Sequence, residues 1–109
     1  MDADAFVANW YAEKERLLSA ASMPGTECEA KITAMGLSSE QTAQLHDLLR
    51  TFATDVMYTL LLGLDGSASL GNDQRSYTLL DEDGSVIAKE GDLEAAAYAW
   101  FQERRAPRR

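Results

Sequence analysis

Up to Leu64 the apolar residues of this chain recur at intervals of three and four, and beyond Ser67 they alternate with polar ones. The first part therefore predicts helices and the second strands. Ala3, Phe6, Trp10, Leu17 and Ala21 share one helical face, flanked by Val7 and Leu18, which places a first helix over about residues 3–22. Asp2 or Asp4 caps it, offering an acceptor to free N–H groups and a charge suited to the helix dipole. Glu13, Lys14, Glu15 and Arg16 read as a solvated interlude. Met23-Pro24-Gly25 ends the helix, because proline cannot continue the hydrogen-bond ladder.

Thr26 and Glu29 have the spacing of a capping box, and Cys28, Ile32 and Met35 then fall on one face before Gly36. This predicts a short helix over about residues 27–35, with a strand through Lys31-Ile32-Thr33 as the competing reading. Ser38 and Gln41 form a second capping box and open a long helix that runs to the Gly63-Leu64-Asp65-Gly66 turn. Leu45, Leu48, Leu49, Phe52, Val56 and Leu60 make its apolar face, broadened by Met57 and Leu61. A helix polar on one side early and apolar nearly all round later is expected to bury its far end, which puts Tyr58, Leu60, Leu61, Leu62 and Leu64 in the core.

Ser67–Leu70 alternates small polar and apolar residues, and Gly71-Asn72-Asp73 signals a turn. Residues 76–80 and 85–88 are strand-like and flank Asp81-Glu82-Asp83-Gly84, whose Asp-Gly marks a hairpin. A lone hairpin is marginal, so a third strand over about residues 67–71 is expected. Asp92 caps a last helix in which Leu93, Ala96, Ala97, Trp100 and Phe101 share a face, and Arg104 and Arg105 suit its C-terminus. The expected fold is α+β: two or three N-terminal helices, a small antiparallel β-meander or hairpin, and a C-terminal helix. Residues 1–109 read as a single domain, with residues 104–109 a frayed basic tail.

Charge narrows the function. The chain has 10 basic and 18 acidic residues, a net −8. Setting aside Arg104, Arg105, Arg108 and Arg109 leaves six against eighteen, so the body carries −12. That field repels nucleic acid and anionic membrane and steers towards a basic protein partner. Cys28 is the only cysteine, which excludes an internal disulfide. No apolar run approaches the roughly 18 residues of a membrane span, and MDADAFVANW lacks the features of a signal peptide, so a cytoplasmic location is expected.

Little catalytic chemistry is legible. Ile32–Leu49 has the outline of a helix-turn-helix, but Glu40 and Asp47 against Arg50 give its second helix the wrong sign for DNA. His46 is the only histidine, leaving one Cys–His combination, Cys28 with His46, and no G-x-S-x-G elbow is present. One Cys and one His make no zinc site without carboxylates. The acids at 81–83 fail the EF-hand spacing, because Gly84 comes at the fourth position rather than the sixth. Gly63–Ser67 lacks the lysine of a phosphate loop and follows a helix rather than a strand. A non-enzymatic chain without cofactor or metal is expected.

The stretch LLLGLDGSASL over residues 60–70, followed by Tyr77–Gly84, YTLLDEDG, resembles small acidic single-domain bacterial proteins of uncharacterised families, some of them immunity partners of secreted toxins. The resemblance covers the second half of the chain. It implies a protein that neutralises a toxin by binding it, often through an acidic face over a basic active site. The expectation is thus a protein-binding module masking a basic partner. Its candidate contacts are Asp65, Asp73, Asp81, Glu82 and Asp83, loop acids near the hairpin, with Tyr77 as an aromatic anchor. The alternative is a self-associating structural domain, a homodimer through the Trp100-Phe101 helix or an open hairpin edge.

Overall fold

The computed structural model describes residues 1–104. The Arg105–Arg109 part of the expected tail lies outside the described residues. Three helices come first: α1 (Ala3–Ala21), α2 (Glu27–Ala34) and α3 (Ser39–Asp65). Two short strands follow, β1 (Leu79–Leu80) and β2 (Val86–Ala88), then α4 (Asp92–Ala97), which widens without a break into a π-helical stretch, Tyr98–Glu103.

Each helix starts where a side chain can take up free N–H groups. The Asp2 carboxylate accepts from Ala5 N at 2.9 Å, and Thr26 accepts from Glu29 N at 3.2 Å. The second of these settles residues 27–34 as helix rather than strand. Its box is one-sided, because the Glu29 carboxylate accepts instead from the Thr33 hydroxyl, at 2.6 Å. Ser38 and Gln41 form the reciprocal box at the start of α3, which then runs for 27 residues. Gly66 closes α3 with φ +92°, a conformation glycine adopts without steric cost.

The core sits at one end of the long helix. Val7, Leu61, Ala88, Leu93, Ala96, Ala97 and Phe101 are buried together, drawing on α1, α3, β2, α4 and the π stretch. α1 and α3 run antiparallel, since Lys14 meets Thr54 while Glu15 meets Arg50, and α4 packs against both. Trp100 and Phe101 lie on the same ring, with centroids 5.5 Å and 5.6 Å from that of Tyr11, and the Trp100 indole donates to Asp4 at 3.0 Å. Of the two aromatic anchors expected in the C-terminal helix, Phe101 is fully buried and Trp100 half-buried.

The sheet is smaller than the alternation suggested. β1 and β2 form an antiparallel pair, Leu79 opposite Ala88 and Leu80 opposite Val86, with an irregularity that leaves Ile87 unmatched. No third strand joins them among the described residues; residues 67–71 contribute only an isolated bridge between Leu70 and Asp73. The reason is local. Gly63 is so closely overlaid that a Cβ there would lie 3.1 Å from the Leu70 side chain, so the segment folds back onto the end of α3. The hairpin turn forms as expected: Gly84 N donates to Asp81 O at 3.0 Å, with Gly84 at φ +82°.

Candidate functional site

α3 turns two different faces outward and inward. Thr54, Tyr58, Leu61 and Asp65 recur at intervals of four, three and four and point into the molecule; three of them are buried and Tyr58 is half-buried. On the far side Leu48, Phe52, Val56 and Leu60 recur at intervals of four. They are 61%, 64%, 37% and 42% exposed. Each four-residue step advances about 400° around the helix, so the stripe drifts slowly towards α1 as it approaches Leu60. The apolar face expected to build the core is therefore largely outside it. Leu61 alone of the far-end leucines is fully buried, while Tyr58, Leu62 and Leu64 are half-buried and Leu60 is exposed.

α1 extends this surface. Its fully buried face is Val7 and Lys14, not the Phe6–Trp10–Leu17 stripe, and Leu17 is 48% exposed. Phe6 and Trp10, with ring centroids 6.3 Å apart, are half-buried and line a groove of about 390 Å³ with Asn9, Glu13 and Met57. Glu13 at the rim is bidentate to Arg16, whose guanidinium holds the carboxyl below its usual range. The result is an unpartnered apolar face two helices wide. The stripe itself carries no charge.

The candidate acids are distributed rather than convergent. Asp65 is 1% exposed and cannot contact a partner. Its Oδ1 accepts from Gly91 N and Leu93 N at 2.9 Å and from Glu94 N at 3.2 Å, so it caps α4 from across the fold. Its Oδ2 is buried without a hydrogen-bond partner. Asp92, expected as that cap, is instead the first residue of the helix and accepts from Lys89 N at 2.9 Å. Asp73 is exposed and ion-paired with Arg75 at 2.6 Å. Asp81 Oδ1 is taken up by the turn, accepting from Asp83 N at 2.9 Å and Ser85 N at 3.0 Å. Glu82 and Asp83 lie exposed at the hairpin tip, and Tyr77 is half-buried.

Lys14 is the residue the sequence reading misplaced most. Rather than solvated it is 4% exposed, with Nζ 3.2 Å from Thr54 Oγ1, 3.3 Å from Glu15 and 4.1 Å above the Tyr11 ring. Glu15 also accepts two hydrogen bonds from Arg50, which hold its carboxyl below the usual range. The available signal was the Val7, Tyr11, Lys14, Leu18 spacing, which puts the lysine on a helical face with three apolar neighbours.

His46 is half-buried between two shallow clefts near the ends of α1 and α2, and Cys28 is exposed on α2. Asp65 lies roughly 28 Å further along α3 from His46 at 1.5 Å per residue, so the two share no pocket. Among the described residues no three His, Cys, Asp or Glu side chains gather to hold a metal ion, and no helix is long and apolar enough to cross a membrane. Comparison with protein-family models, with curated proteins and with solved structures gives no match.

Proposed function

We propose that this chain is a small acidic protein-binding module that works through its apolar α1–α3 face and carries no catalytic chemistry of its own. The observation behind this reading is the exposed stripe of Leu48, Phe52, Val56 and Leu60 beside the Phe6–Trp10–Met57 groove. The largest apolar patch on a typical monomer covers about 300–600 Å² and is often the place where it binds something. Aromatic anchors in a groove with a polar rim are also the side chains that dominate binding energy.

A second reading keeps the acidic hairpin as the contact, in the manner of an immunity or inhibitor protein over a basic partner. Glu82 and Asp83, exposed at the tip of a body of −12, favour it. Asp73, Asp81 and Tyr77 flank the tip, but the first two already hold local partners. One experiment separates the readings: capture from lysate by the wild type, by Phe52→Glu and by Glu82→Lys/Asp83→Lys, at low and high salt. Loss with Phe52→Glu alone, insensitive to salt, supports the apolar face. Loss with the charge reversals, steep in salt, supports the acidic tip, and indifference to both variants overturns both.

A further inference from the structure

The apolar face can be matched to one occupant from the pattern of α3. We propose that a second copy of this chain covers it, the two α3 helices running antiparallel about a twofold axis between Phe52 and Val56. This rests on the apolar-face reading and goes further by fixing partner and register.

Three observations converge on that occupant. The stripe is self-complementary: reversing the helix about the point midway between Phe52 and Val56 exchanges Leu48 with Leu60 and Phe52 with Val56. In an isologous interface residue i meets j while j meets i, and here each such exchange sets apolar against apolar. The relief also matches. Leu48 and Phe52, 61% and 64% exposed, stand proud, while Val56 and Leu60, 37% and 42% exposed, lie lower and drift towards the α1 groove. Antiparallel pairing sets the prominent half of each copy on the recessed half of the other, with each Phe52 ring directed at its partner's Val56 and Met57.

Electrostatics permits the contact on this face. A chain of −8 resists its own copy, yet the stripe itself is uncharged: of the two charged residues between Leu48 and Leu60, Arg50 is turned to Glu15 of α1 and Asp55 borders the stripe at its edge. The acids of the hairpin belong to the segment after α3 and outside the paired stretch. Area suffices as well. The exposed parts of Leu17, Leu48, Phe52, Val56 and Leu60 come to on the order of 450 Å² per chain, the size of the largest apolar patch on a typical monomer, which is often functional. With the groove residues included and fully covered, two copies remove at most on the order of 1,200 Å², where specific interfaces begin. Residues 105–109, Arg-Ala-Pro-Arg-Arg, bring no large apolar side chain as a rival occupant.

Sedimentation equilibrium from low micromolar to submillimolar concentration tests the pairing, with circular dichroism to verify each fold. The wild type is expected at twice its 12.0 kDa mass in the upper range. Phe52→Glu and Leu48→Glu should be helical monomers throughout, whereas Val86→Glu, on the equally exposed hairpin, should still dimerise. A wild type that stays monomeric, or a dimer broken by Val86→Glu and not by Phe52→Glu, overturns the proposal. In the first case, capture that still depends on Phe52 keeps the apolar-face reading, and its absence removes that too. For the register, Leu48→Cys and Leu60→Cys chains are each made in a Cys28→Ser background. Disulfide dimers should form when the two are mixed and not from either alone; dimers from each alone would mean parallel helices and overturn the arrangement.

Discussion

Asp65 and Lys14 carry the polar joints of this fold, and each can be tested by what replaces it. Asp65 supplies one oxygen to three backbone N–H groups at the start of α4. Asp65→Ala should cost about 2–3 kcal/mol in urea unfolding, because charge-assisted bonds are lost and the buried N–H groups stay unsatisfied. Asp65→Asn keeps an acceptor but buries an unpaired amide, and should fall between that variant and the wild type. Lys14 behaves differently. Thr54 donates its hydroxyl to Arg50 O at 2.9 Å whether or not the ammonium is present. Lys14→Met, which retains the aliphatic packing, should therefore stay within about 1 kcal/mol of the wild type, and Lys14→Ala should lose about 2–3 kcal/mol. The Glu15–Arg50 pair adds a pH signature. Glu15 is held below its ordinary value of 4.5, mainly by the Arg50 hydrogen bonds. A carboxyl depressed in the folded state contributes stability above its unfolded pKa and loses it as pH falls through the folded value. The urea-midpoint gap between wild type and Arg50→Met should be full at neutral pH and close as pH drops below about 4.5.

Elements in this chain are set by their ends more than by their middles. Ser38 with Gln41 opens α3, and Gly66 closes it at φ +92°. A Cβ at Gly66 would come 2.9 Å from Ser76 Cα, so the position is strained by conformation and by contact. Gly66→Ala should lower stability by about 2 kcal/mol or more, read from the thermal midpoint, and loosen the return of the chain towards β1. These caps, the Pro24–Gly25 break and the Asp81–Gly84 turn were legible from spacing alone, since each depends on residues within four positions of one another. The third strand was not. Whether residues 67–71 pair with a neighbour or fold over Gly63 depends on how closely Leu70 can approach a helix that lacks a side chain at that point. Periodicity misassigned the faces of α1 and α3 for a related reason: it finds an apolar stripe and leaves open what the stripe meets.

At the scale of the whole molecule the mismatch between stripe and core becomes informative. The structure is 48 Å long by 33 and 29 Å across, with a Cα radius of gyration of 16.5 Å against about 13 Å for a typical 100-residue domain. A slender body around one terminal core cannot bury both sides of a 27-residue helix. One consequence is measurable without any partner. If two copies share the α3 face, the melting temperature of the wild type should rise with protein concentration, while that of Phe52→Glu should not. The sequence by itself determined the helices, the caps of the first three, the hairpin turn and the acidic field, because those follow from neighbouring residues and from counting. The tertiary structure alone decided that Asp65 and Lys14 are interior and that Leu48, Phe52, Val56 and Leu60 face outward. Burial is a relation between distant elements: α1 and α4 with its π extension claimed the Thr54–Leu61–Asp65 side of α3, and the more apolar side was left exposed.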